Sequence, residues 1–77
     1  MYIVLEIQTN ADGTVGTLVD AYADRNDAEN KYHTILAYAS KSALPMHSAV
    51  MVTNDGVLIR SECYHHESLD EGAEETE

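Results

Sequence analysis

The sequence predicts an α+β domain of order β-β-α-β-β, a four-stranded mainly antiparallel sheet with one amphipathic helix on one face. Three observations predict it. Apolar residues alternate with a period of two at both ends of the segment 1–66. Between residues 28 and 43 they recur with a helical period, and an Asn/Asp/Gly turn divides each extended stretch into two. Residues 67–77 carry six acids and no base, and are expected to be a disordered acidic tail that repels itself and buries nothing.

The first strand is Tyr2 to Thr9, rich in β-formers, with Ile3, Leu5 and Ile7 on one face and Glu6 and Gln8 on the other. That alternation predicts one buried side, the side of Ile3, Leu5 and Ile7. Asn10-Ala11-Asp12-Gly13 supplies turn chemistry, and Thr14 to Tyr22 resumes the extended pattern, so the pair reads as a hairpin. In the next segment Ala28, Tyr32, Ile35, Leu36, Ala39 and Ala43 fall on one helical stripe. Asp24 or Asn26 is the expected N-cap, Asn26-Asp27-Ala28-Glu29 resembles a capping box, and Lys41 suits the negative end of the helix dipole. Leu44-Pro45 is expected to close the helix, because a residue before proline is pushed out of helical geometry. His47 to Thr53 and Val57 to Tyr64 are the third and fourth strands, joined by Asn54-Asp55-Gly56. The two turns, Thr9 to Val15 and Thr53 to Val57, resemble each other; convergence on good turn residues is the favoured reading, and an internal duplication the alternative.

Size bounds what this fold can do alone. A chain of 77 residues holds one small domain, and Cys63, its only cysteine, has no intramolecular partner for a disulfide. A reducing cytosolic setting and stabilisation by oligomerisation are expected. The start of the chain has no basic stretch, and no apolar run reaches the roughly 20 residues that span a bilayer, so the protein is read as cytoplasmic, uncleaved and without a membrane partner. There is no Trp and no Phe; the five tyrosines suggest a thin core or an interface. One helix covers only one face of such a sheet. Strand three alternates Val50 and Val52 against Ala49 and Met51, and strand four Val57 and Ile59 against Leu58, so the uncovered face is not clearly polar, and a homodimer or higher homo-oligomer through the sheet is expected.

The formal net charge is −10, yet residues 1–66 carry eight acids against four bases, so most of the excess lies in the tail. Arg25, Lys31, Lys41 and Arg60 form no cluster, which disfavours direct nucleic-acid binding. The glycines match neither a dinucleotide fingerprint nor a P-loop, and no cofactor is expected. The densest reactive group is Glu62-Cys63-Tyr64-His65-His66-Glu67. Cys63 and His65 share a strand face and are the candidate metal ligands, but His33 and His47 stand alone where a zinc site needs a second pair. Cys63 with His33 or His47 would be the only foothold for nucleophilic catalysis, and nothing local activates the thiol; no catalytic residue is assigned. Tyr38, Arg60, Tyr64 and His66 are the candidate ligand- or partner-binding residues, since an oligomer can gather such cations and rings, with Lys31, around one small anionic nucleotide. Tyr32 lies on the apolar stripe and belongs to the core; His33 and Tyr38 lie off it.

The stretch Asp24-Arg25-Asn26-Asp27-Ala28-Glu29-Asn30-Lys31-Tyr32-His33-Thr34, leading through Ala43-Leu44-Pro45 to Thr53-Asn54-Asp55-Gly56, resembles small uncharacterised proteins encoded by phages and prophages of gut anaerobes. The resemblance spans Met1 to about His66 and carries over no functional residue. It implies a compact, acidic, oligomeric accessory protein that binds rather than catalyses, in the host-cell cytosol. On that footing the expected function is a non-enzymatic binding protein that blocks or sequesters a host component, such as a defence protein or a nucleotide signal. The alternatives are a minor phage structural or assembly protein and an acidic nucleic-acid mimic.

Overall fold

The computed structural model describes residues 1–66; the predicted acidic tail, 67–77, lies outside them. Strands β1 (Tyr2–Thr9) and β2 (Val15–Tyr22) form the first hairpin. Its turn closes with the Gly13 N–H on the Asn10 carbonyl (2.9 Å) and the Asn10 N–H on the Thr14 carbonyl (2.8 Å). Gly13 sits at φ 90°, a conformation open to glycine without steric cost. Strands β3 (Met46–Thr53) and β4 (Leu58–His65) form the second hairpin, with Gly56 also at φ 90°. The sheet order is β2-β1-β3-β4 with every neighbour antiparallel, as the sequence predicts.

Helix α1 (Arg25–Ala39) connects the hairpins and lies chiefly over the two central strands. Asp24 is its N-cap, its carboxylate accepting from the Asn26 N–H (2.9 Å), so the expected Asn26 capping box is not used. The helix ends five residues before the predicted stop. The Ser40 N–H still reaches the Leu36 carbonyl (3.0 Å), but the Lys41 and Ser42 N–H groups bond three residues back, to Tyr38 and Ala39. The final turn thereby tightens and unwinds, and Ala43 and Lys41 fall outside the helix. Ala43 is exposed rather than core; Ala28, Tyr32, Ile35, Leu36 and Ala39 are buried as the stripe predicts.

The core is one layer deep. Val4 from β1 and Ala49 and Met51 from β3 meet Ala28, Tyr32, Ile35 and Leu36, with Tyr2, Tyr22 and Ile59 at the margin. Alanines at 28, 39 and 49 are fully buried and let the helix backbone approach the sheet, while Met51 and Val4 fill the space between. A register shift between Met51 and Val52 opposes Met51 to Arg60 and Val52 to Leu58, leaving Ile59 as the extra residue of a bulge. That bulge turns Ile59 toward the helix side.

One expectation is corrected here. The helix does not cover the face of Ile3, Leu5 and Ile7; it covers the face of Val4, which also carries Glu6 and Gln8. The reason lies across the sheet, in β3: Val4 pairs with Met51 and Glu6 with Ala49, so the side that buries Met51, with Ala49 giving the helix backbone room, is also the side of Val4 and Glu6. Val50 and Val52 go to the opposite side with Ile3 and Leu5.

Candidate functional site

Residues directly paired across strands share a face, so the registers assign every side chain of the sheet. On the helix side the cross-strand rows read Asp20, Val4, Met51, Arg60, then Leu18, Glu6, Ala49, Glu62, then Gly16, Gln8, His47, Tyr64. On the open side they read Ala21, Ile3, Val52, Leu58, then Val19, Leu5, Val50, Ser61, then Thr17, Ile7, Ser48, Cys63, and finally Val15, Thr9, Met46, His65. All four Asp, Glu, Lys and Arg residues within the strands, namely Glu6, Asp20, Arg60 and Glu62, lie on the helix side. The open side therefore carries no formal charge, apart from protonation of His65 at its far corner. It is most apolar around Ile3, Leu5, Val50 and Val52 and grades into Thr17, Ser48 and Thr9.

This distribution is the reverse of a solvated sheet face, which normally alternates polar residues outward. Val15, Val19 and Leu58 remain about 60% exposed at its flanks, and the branched side chains of β1 and β3 are only half-buried, screened by each other rather than by another layer. Contiguous apolar area of this size on a soluble protein marks a surface that associates.

The helix side is tied together by ion pairs. Glu29 receives Arg25 (3.3 Å), His33 (3.5 Å) and, from β4, Arg60 (3.4 Å), while Lys31 reaches across to Asp20 on β2 (3.5 Å). At the far end of the sheet a buried polar group closes the core. His47 is 4% exposed, and its Nε2 donates to Glu6 Oε2 at 2.6 Å. Gln8 Nε2 donates to the same oxygen at 2.9 Å. Burial pushes the Glu6 carboxyl up, but the hydrogen bonds from His47 and Gln8 and the charges of His47 and Lys31 outweigh it, and its pKa stays below the ordinary value. The other ring nitrogen of His47, Nδ1, is buried without a protein partner. In the sequence His47 stands alone or as a possible partner for Cys63, which the registers place on the opposite face. The parity of His47 with Ala49 and Met51, and that of Glu6 with Val4, is the signal that places both beneath the helix.

The predicted binding residues separate into three environments. Tyr64 and His66 come together, their rings stacked at 6.4 Å and 11°. His66, directly after β4, also ties that strand to the helix end and to the segment leading into β3: its Nε2 donates to the Ala39 carbonyl (2.7 Å) and its N–H to the Pro45 carbonyl (2.8 Å). Arg60 lies on the same face of β4 but is engaged by Glu29, and Tyr38, 71% exposed, stands on the outer surface of the helix. Both cations expected around a nucleotide, Arg60 and Lys31, are thus paired with carboxylates of the fold. Cys63 and His65 share a face as expected, Sγ to Nε2 3.6 Å, on the open side. Among the described residues no group of three or more His, Cys, Asp or Glu side chains is placed to hold a metal ion. No helix among them is long and apolar enough to cross a membrane.

Compared with protein-family models, curated proteins and solved structures, the chain matches none.

Proposed function

We propose that this chain is a small non-enzymatic binding protein that works as a homodimer or higher homo-oligomer through its sheet. In biological terms it is read as a phage-type accessory factor, cytoplasmic in the host cell, that blocks or sequesters a host component. The observation that carries the reading is the open sheet face: a broad apolar surface free of formal charge in a chain whose net charge is −10. Its other reactive groups have structural employment. Glu6 and His47 close the core, Arg60 and Lys31 pin the helix, and His66 caps it.

The nucleic-acid mimic draws less support. A mimic needs fixed, unpaired acids, whereas six of the eight acids among the described residues are engaged: Asp20 and Glu29 are paired with bases, Glu6 is held by His47, Asp24 caps the helix, and Asp12 and Asp55 are bonded within hairpin turns. A free edge is what favours the assembly-protein reading: β2 is a full eight-residue edge strand able to add to a larger sheet.

Native mass spectrometry of the full chain expressed in a bacterial host tests the proposal, because it reports subunit number and any retained nucleotide or protein together. An oligomer carrying a host component in fixed ratio supports it. A bare monomer that retains nothing from the lysate counts against it.

A further inference from the structure

We infer that the occupant of the open face is a second copy of this chain, packed sheet against sheet into a closed two-fold sandwich. The inference rests on the proposed association through the sheet and deepens it, by fixing two copies, face to face rather than edge to edge.

Four arguments favour a second copy over a foreign partner. The face holds no Asp, Glu, Lys or Arg, so apposing it with itself brings no like charges together, and a foreign protein finds no charge by which to be steered or selected. It has an apolar centre at Ile3, Leu5, Val50 and Val52, continued by Val19 and Leu58 at its flanks, and grades at one end into Thr9, Thr17, Ser48, Cys63 and His65. A twisted sheet is the natural complement of another, the two packing about 10 Å apart with strands crossing at roughly 30°. Finally the size fits. Four strands of eight residues, at about 4.8 Å between strands and 3.3 Å per residue, give a footprint of roughly 500 Å². Two such footprints reach about 1,000 Å² before side-chain relief is counted, the area at which specific association begins.

The two-fold arrangement closes on itself, since each protomer presents the same patch and spends it on the other. Both helices then face outward, and Tyr38 and the Tyr64–His66 stack are displayed twice on the dimer.

Cys63 is a native reporter of this arrangement. Its thiol is exposed and lies on the open face next to Ser48, so face-to-face packing shields it, whereas pairing through the β2 edge, on the other side of the sheet, does not, and pairing through the β4 edge is distinguished by its indifference to Leu5→Lys. The experiment measures the rate of Cys63 labelling by an aromatic disulfide reagent at rising protein concentration, with the mass followed by sedimentation. The expected result is a dimer whose labelling slows as it forms. Leu5→Lys, at the centre of the face, should weaken association about a hundredfold or more, the penalty for an unpaired charge at an interface centre, and make labelling independent of concentration. Should Leu5→Lys fail to fold, Val19→Lys, on the edge strand where the side chain is 59% exposed, replaces it. A dimer in which Cys63 stays reactive and both variants still associate overturns the sandwich. A wild-type chain that is monomeric but whose face takes up anilinonaphthalene sulfonate overturns the second copy and leaves the face as a binding surface. A monomer that takes up none overturns both readings.

Discussion

Truncating Met51 and Leu5 to alanine in separate chains distinguishes the covered face of the sheet from the open one. Met51 is 0% exposed, between Val4 and the helix residues Tyr32 and Ile35. Removing its side chain beyond Cβ forfeits burial and leaves a cavity in a core one layer deep, at a cost of about 2–5 kcal/mol. The described body of 66 residues should have a stability of about 3–10 kcal/mol by the usual yield per residue. Met51→Ala therefore removes a large fraction of it. With a urea slope of about 1 kcal/mol per M for so small a domain, the midpoint falls by about 2 M or more. Leu5 is only half-buried, because no element among the described residues covers its face. In the separate protomer Leu5→Ala should cost under about 1 kcal/mol, and in the sandwich about 2 kcal/mol more per protomer, the value of a buried leucine. Urea unfolding followed by far-ultraviolet circular dichroism, at about 2 μM and about 200 μM protein, separates the two effects because only association makes stability concentration-dependent. The expected result is a Met51→Ala loss that is equal at both concentrations and a Leu5→Ala loss that grows with concentration. A Met51→Ala loss below about 1 kcal/mol would refute the assignment of the core, and an invariant Leu5→Ala loss would refute the role given to the open face.

Two further predictions follow from local geometry. The Glu6 carboxyl has a folded pKa below its ordinary value, so its contribution to stability is complete above the unfolded pKa of about 4.3 and is lost as pH falls through the folded pKa. Glu6→Gln keeps an acceptor for His47 but removes the titration, so urea unfolding between pH 3 and pH 7 should show a shallower acid slope than wild type; an unchanged slope would show that Glu6 is not the linked group. Asp24→Ala removes the side-chain acceptor of the Asn26 N–H and should cost about 0.5–2 kcal/mol, read as a lower thermal midpoint, while Asn26→Ala should cost less because Asn26 is not the cap.

The element order was legible because its signals are local. Two Asn/Asp/Gly turns, a period-two pattern on either side and a helical stripe each depend on a few neighbouring residues, and Gly13 and Gly56 adopt the positive φ that the turns require. The facing of β1 was not legible. Ile3, Leu5 and Ile7 are the larger apolar set, and a rule that buries the most apolar face points the helix to them. The helix instead follows Ala49 and Met51 on β3, which pair with Glu6 and Val4: Ala49 lets the helix backbone approach and Met51 fills the space beside it. The same cross-strand dependence hid the Glu6–His47 bond, whose partners lie 41 residues apart in the chain. The helix end was read too late because Pro45 sets only an upper limit, while the tightened turn at Lys41 and Ser42 ends the helix earlier. Of the candidate binding residues, Tyr64 and His66 are neighbours that the sequence could group, but the engagement of Arg60 by Glu29 requires the helix to lie against β4.

The account stands on the open face being an interface between copies, and sedimentation equilibrium of the wild-type chain tests that most directly. The chain mass is 8.5 kDa. The sandwich predicts a mass near twice that value at micromolar concentrations, returning to one chain on dilution and in Leu5→Lys. A mass of one chain at every concentration up to about 200 μM, roughly a hundredfold above the range in which the sandwich is expected to form, would contradict it.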